Sequence, residues 1–301
     1  MMSLNPIIEK DMKTKMRGWR MPILLSLYLL FLGLVLFLFF AGNDQMFYSY
    51  GYSDFNPRTA VNAYTLIALF QFALLMFIVP ALTATSVSGE RERQTLDLML
   101  CSDISTWSII AGKLAVSLAH VMLLVIASLP ILGMVLLFGG VTFGEMLLLL
   151  LFYIITAVMA ASLGIFFSTV FRKSVVSVIA TYISLGIIGI GPVIALVLIA
   201  VFNLGPRAVE PTYGLLALVL SPSPAFGITS FISDGQNGMS LIDTFNSIQR
   251  IADQDTSWLR HIAPWMLNSL FDLVLSGILV CLSAWKLKPV KHRRRKAGGR
   301  V

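Results

Sequence analysis

The chain has 301 residues, 57% of them apolar and 12% charged, against roughly 45–50% and about 25% in soluble domains. A mean hydropathy of +0.85 leaves too few polar side chains to cover an aqueous surface, which excludes an ordinary soluble enzyme and makes the bilayer the solvent. The 22 basic and 15 acidic residues give a net charge of +7, and their placement along the chain carries more information than their sum.

Residues 5–20 open with Asn5-Pro6 and set Ile8, Met12, Met16 and Trp19 on one helical face, with Lys10, Lys13, Arg17 and Arg20 on another. The pattern predicts an amphipathic basic helix in the headgroup layer, its apolar stripe at the acyl boundary and its cations on anionic lipid. Crossing hydrocarbon takes about 20 mostly apolar residues, because only a helix satisfies its own backbone amides there. Residues 21–41, 60–83, 109–138, 146–171, 175–202 and 263–285 meet that test and predict six spans. The first run is too long for a signal-peptide core and leaves through Phe40-Ala41-Gly42-Asn43, a poor cleavage site, so it is expected to remain as an anchor.

Between the second and third spans, residues 88–100 read as a short charged helix. Ser88 is its expected cap, Glu90 and Glu92 stand in the first turn where the helix dipole favours anions, and Leu96, Met99 and Leu100 share one face. That apolar face needs a cover, which would be the headgroups, the chain's own bundle or a groove of another protein. Ser102 or Asp103 is expected to restart the chain toward the third span, with Trp107 at the interface and Lys113 snorkelling outward.

Residues 211–233 are uncharged, but Pro211, Pro222 and Pro224 interrupt them, and the longest unbroken apolar run, 213–220, is too short to cross. Residues 213–231 are instead expected to form a re-entrant or interfacial element on the outer side, between spans five and six. Six spans place 18 of the 22 Lys and Arg on one side, leaving only Arg58, Arg207, Arg250 and Arg260 on the other. The positive-inside rule then puts both termini in the cytoplasm, whereas a seventh span would export the Arg293-Arg294-Arg295-Lys296 cluster. The basic tail reads as an anchor beside anionic lipid rather than a nucleic-acid site.

Inside the spans, Asp272 stands near the middle of the sixth, where an acidic side chain costs roughly 2.5–3.5 kcal/mol on insertion scales. Asn268 and Ser276 lie one turn to either side on the same face, so the group is either a neutral carboxyl that stitches helices together or a site for substrate or proton. His120 reads as a packing histidine, and Pro80, Pro130 and the Gly186, Gly189, Gly191-Pro192 series read as helix punctuation or hinges. Cys101 and Cys281 have no metal-ligand spacing, and neither Gly-x-Ser-x-Gly nor His-Glu-x-x-His occurs, so no catalytic set and no metal site is expected.

The stretch Glu90, Glu92, Thr95, Leu96 and Leu100, followed by Ser105 and Gly112-Lys113, resembles the second cytoplasmic region of the membrane subunits of type-2 ATP-binding-cassette (ABC) exporters. Asn5-Pro6 with its basic helix looks like the elbow helix of that family, and Leu163-Gly164 through Ser168 to Phe171-Arg172-Lys173-Ser174 is similar to its fourth-span exit. The chain departs from the family at Ser102-Asp103, where Thr-Pro is common, and in a long outer connection over residues 203–260.

The resemblance implies an all-α integral membrane protein in one transmembrane domain: an elbow helix, six transmembrane helices, and a coupling helix over residues 88–100 that docks on an ATPase subunit. Glu90, Glu92, Thr95, Leu96, Met99 and Leu100 would be the coupling residues, and Ile8, Met12, Met16, Trp19, Arg17 and Arg20 the elbow. A phosphate-binding loop is not found, since Gly112-Lys113 has Trp107 where the first glycine belongs and Leu114 after it. ATP and magnesium are therefore expected on a separate ATPase chain, no cofactor on this one, and a second permease copy or paralogue beside it in the cell membrane. The competing reading is an ATP-independent channel, transporter or intramembrane enzyme that uses Asp272. Nothing in the residues names the cargo.

Overall fold

The computed structural model describes residues 18–42, 57–96, 105–137, 141–202, 218–235 and 263–287. They form eight helices and, among the described residues, no strand: α1 (Arg20–Gly42), α2 (Pro57–Thr83), α3 (Ser88–Glu92), α4 (Thr106–Leu137), α5 (Phe143–Val170), α6 (Ser174–Phe202), α7 (Pro224–Gly235) and α8 (Pro264–Lys286). Six of them are long and apolar enough to cross a membrane, and they coincide with the six expected spans.

Most spans begin a few residues earlier than their apolar runs, because polar residues close the first turn. Ser105 accepts from the Ser108 amide at 3.2 Å ahead of α4, a role expected of Ser102 or Asp103, which lie outside the described residues. Thr142 and Glu145 form a reciprocal capping box at the start of α5, with bonds of 3.3 and 2.9 Å. Its Thr-x-x-Glu signature stands in the sequence.

α5 is the hub and packs against α2, α4, α6 and α8. Lipid tails are as apolar as leucine, so helices associate here by close packing and interhelical hydrogen bonds rather than by escape from water. The buried side of α5 supplies the small residues this needs: Ala157, Ala160, Ala161, Ser162 and Gly164. At Gly164 a Cβ would overlap the Thr83 side chain and meet the Ala84 backbone nitrogen, so α5 lies against the backbone at the C-terminal end of α2. α1 and α6 are the least covered spans. They turn Leu27, Leu30, Phe37, Ile179, Ile183 and Ile187 outward as an exposed apolar surface.

α7 is 12 residues long, about 18 Å at 1.5 Å per residue, and too short to span. It enters the bundle and packs against α8, α6, α2 and α5, with Phe226, Ile228, Phe231 and Ile232 buried. Of the expected re-entrant or interfacial element over 213–231, the described part holds a helix beginning at Pro224, which serves as its first residue because that position has no intrahelical partner for an amide. Stacked and edge-to-face rings tie it in: Phe72 to Phe152 at 6.3 Å, Phe152 to Phe231 at 5.9 Å and Phe231 to Trp265 at 5.4 Å. Each such pair adds about 0.5–1.5 kcal/mol beyond area burial and links α2, α5, α7 and α8 in turn.

The interfacial-helix residues Ile8, Met12, Met16 and Arg17 lie outside the described residues, as do Met99, Leu100 and the basic tail. Arg20 opens α1, and Trp19 before it is 83% exposed.

Candidate functional site

The junction between α2 and α4 differs from its expected form. Among the described residues the charged helix runs over Ser88–Glu92 and breaks at 93–95, so 88–100 is not one continuous helix; 97–100 lie outside the described residues. It stops because Gln94 adopts a left-handed backbone at φ 59°. The Gln94 amide donates to the Arg91 carbonyl at 3.1 Å and the Thr95 amide to the Glu90 carbonyl at 2.9 Å, the paired bonds of a Schellman motif. Ser88 is not the cap: its hydroxyl donates backward to the Ala84 carbonyl at 3.2 Å, and Val87 stands at the cap position without a side-chain bond.

Polar contacts fasten this segment to three spans. The Val87 and Ser88 amides, at the start of α3 where helical amides lack partners, donate to the Ser168 hydroxyl of α5 at 2.9 and 2.8 Å. Glu90 pairs with Lys113 of α4 at 2.7 Å, and the same ammonium donates to the Ser86 carbonyl at 2.9 Å. Lys113 therefore does not snorkel outward; only 3% of its side chain is exposed, and Glu90 gives it a better partner than the headgroups. The Arg91 guanidinium donates to the Thr169 carbonyl at 3.3 and 3.4 Å and to Phe171 at 3.3 Å, covering carbonyls left open at the end of α5. Glu92 accepts from the Ser174 amide at 2.7 Å and its hydroxyl at 2.8 Å, capping α6 from outside that helix. Those bonds to the carboxylate hold Glu92 below the ordinary glutamate range, backbone amide first and hydroxyl second. Ser177 of α6 adds a bond to the Ala84 carbonyl at 2.7 Å.

Leu96 closes the arrangement. It is 3% exposed and sits among Val87, Ile109, Ile110, Ile165, Ala284 and Leu287. Its expected place on a face awaiting a cover is thus filled by the chain's own α4, α5 and α8. Thr95 is exposed and its hydroxyl donates to the Glu90 carbonyl at 3.2 Å. Thr85, Glu92, Arg93 and Gln94 are also exposed, so the junction shows solvent a short polar surface backed by a rigid clamp. The residues missed from sequence are the receivers, Ser168, Ser174, Ser177 and Lys113, which lie 21 or more positions from the helix they hold. The patch from Leu163-Gly164 to Ser174 marked Ser168 and Ser174, Gly112-Lys113 marked the lysine without its partner, and nothing marked Ser177.

The second candidate lies mid-bundle. Asn268, Asp272 and Ser276 are all buried, so the face predicted from their spacing is turned inward, while Leu270, Leu273, Val274 and Ile278 face outward. α8 is amphipathic in the inverse sense of a soluble helix, because its exterior solvent is lipid. The Asn268 side-chain amide donates to the Ser221 carbonyl at 2.7 Å and the Ser223 carbonyl at 3.2 Å, and the Ser223 hydroxyl donates to the Gly189 carbonyl of α6 at 2.8 Å. Asn268 thereby ties the approach to α7 onto α8. Gly227 makes room for it, since a Cβ there would overlap the Asn268 amide oxygen. His120 on α4 is buried with Nδ1 2.6 Å from the Val116 carbonyl of its own helix, as a packing histidine would be.

The arrangement offers a mechanical junction at one end and a buried carboxyl in the middle. Among the described residues, no three His, Cys, Asp or Glu side chains group as metal ligands would. No curated protein matches the chain at a significant level. A family model described as ABC-2 family transporter protein matches residues 42–285, which spans α2 to α8, and the chain belongs to that family as a multi-pass membrane permease subunit.

Proposed function

We propose that this chain is the permease subunit of an ATP-driven exporter, in which α3 and the turn after it receive force from a separate ATPase subunit and two permease chains form the pathway. The observation that carries this reading is the clamp: a five-residue helix fastened to α4 by Lys113, to α5 by Ser168 and Arg91, and to α6 by Glu92, with Leu96 wedged against α8. A push on the exposed Thr85 and Arg93 surface reaches four spans at once, because each linkage is a hydrogen-bonded or close-packed contact with little slack. ATP and magnesium belong to the partner, the termini lie in the cytoplasm with the basic residues, and the second permease is a copy or a paralogue. The elbow over residues 5–20 would lie along the cytoplasmic headgroups.

The test is purification of the tagged chain from its native host in mild detergent, with an ABC ATPase as the expected companion. Leu96→Asp is unsuitable for releasing that companion, since it places a charge in the chain's own core. Arg93→Glu alters only the exposed surface and is expected to release the ATPase while the permease stays folded. A chain that purifies alone, and whose transport needs no ATP, would overturn the reading in favour of an ATP-independent transporter.

A further inference from the structure

Along the buried face of α8, donors and acceptors do not balance. Asn268 directs both amide hydrogens at the Ser221 and Ser223 carbonyls, which fixes the orientation of its amide and leaves Oδ1 without a donor. Asp272 is fully buried, and neither carboxyl oxygen receives a hydrogen bond of good geometry. The neighbouring hydroxyls are committed elsewhere: Ser276 donates to the Leu273 carbonyl at 2.8 Å, and Thr156, which reaches Asp272 from α5, donates to the Phe152 carbonyl at 3.0 Å. A carboxylate here would be a charge buried in a helix interface whose nearest hydroxyl, Thr156, already donates to Phe152. A carboxylic acid would donate to the lone pairs of Thr156 and complete a chain from Asp272 through Thr156 to the Phe152 carbonyl, each bond polarising the next.

The other charged and titratable groups on the elements packed against α8 have tasks of their own. Lys113 on α4 pairs with Glu90, and His120 lies against the Val116 carbonyl. On α5, Glu145 caps the outer end and Tyr153 donates to the Ala68 carbonyl at 2.8 Å. Lys286 stands at the far end of α8, about 21 Å along the axis from Asp272; the side chain of Asp234, in the last turn of α7, lies outside the described residues.

We propose that Asp272 is a proton-binding site, occupied while α8 lies against α5 and emptied when that interface opens to water, so that closing the bundle at this level takes up one proton. Only the O–H bond of the carboxyl breaks on opening, and the proton passes to water. Asn268, one turn away, holds the approach to α7, so the same opening frees the re-entrant helix. Low pH favours the closed bundle and high pH the open one. The inference goes beyond the coupling reading and holds whether or not an ATPase is the motor.

The experiment uses the full chain in lipid nanodiscs, without nucleotide or partner, so failure to capture an ATPase leaves it untouched. Hydrogen exchange of the α7 amides is followed from mildly acid to alkaline pH and divided by that of Asp272→Asn at the same pH, which cancels the intrinsic pH dependence. The expected ratio is flat at the acid end and then rises by about tenfold per pH unit, the slope of a single linked proton. A ratio flat throughout overturns the proposal. If Asp272→Asn does not fold, the ratio is read within the wild-type chain, α7 amides against those of α2. Infrared spectra of the wild type at neutral pH are expected to show a protonated-carboxyl band that Asp272→Asn lacks, and a wild type without such a band also overturns the proposal. Asn268→Ala is expected to lose α7 protection at every pH while keeping the band.

Discussion

The two ends of α5 meet opposite kinds of polar chemistry. At its C-terminal end, Ser168, Thr169 and Phe171 take hydrogen bonds from the α3 segment, and three of the charged groups there have counterparts: Glu90 with Lys113, Arg91 with helix-end carbonyls, Glu92 with Ser174. Midway along, Thr156 faces Asp272, where acceptors outnumber donors. Water reaches the rim of the first region and not the second, so the first can be held by ion pairs while the second needs a proton. The clamp is built to hold one geometry, and the midplane face is built to change.

The comparison breaks most severely at Lys113. Lys113→Met leaves Glu90 partly buried without its cation, and breaking such a pair costs about 3–5 kcal/mol. Denaturant unfolding in detergent should register a loss on that scale, and the double variant with Glu90→Gln should recover most of it. A single variant of near wild-type stability would remove Lys113 from the clamp.

Ser168→Ala comes next. It withdraws the acceptor of two buried amides, Val87 and Ser88, at about 1–3 kcal/mol for each orphaned group. Transport should fall further than stability does, because one of the two links from the α3 segment to α5 is lost while the Arg91 contacts remain; equal losses would make Ser168 merely structural. Gly164→Val tests the same end by steric means. Its first carbon overlaps Thr83 and presses on the α2 backbone, and overpacking of this kind costs about 1–3 kcal/mol, read as a lowered Tm.

Gln94→Gly should move the other way. An exposed residue at φ 59° bears a steric cost that glycine lacks, about 1–2 kcal/mol, so the glycine variant gains up to that amount unless the freer unfolded chain offsets it. The smallest effect belongs to Glu92 and pH. Its carboxyl is held below the ordinary glutamate range by Ser174, so its contribution is complete above that range and is lost as pH falls through the lowered folded value. Glu92→Gln should flatten the acid limb of a Tm-against-pH profile slightly and leave the neutral value nearly unchanged, since the group is exposed and screened.

Much of this protein was legible before any coordinates. Length and hydropathy of the apolar runs determine the six spans, since a helix must satisfy its own backbone in hydrocarbon, and the prolines near residue 222 rule out a seventh. The spacing of Asn268, Asp272 and Ser276 determines that they share a face, because helical periodicity is local. The Thr142-Glu145 capping box was equally readable.

What the spacing left open was where each face would point. Leu96 reads as an apolar residue needing cover, and only packing decided that α4, α5 and α8 cover it rather than a partner. Lys113 has the stem to snorkel, and only the approach of Glu90 across the turn keeps it inside. The break at Gln94 has no glycine or proline to announce it, because the bonds that hold Glu92 and Arg91 to α5 and α6 support a backbone that the local sequence would not choose alone. Hydropathy and periodicity are sums over neighbours in the chain, so they determine the spans and their faces. Hydrogen bonds and ion pairs between helices join residues 23 to 105 positions apart, and the tertiary structure alone decided those.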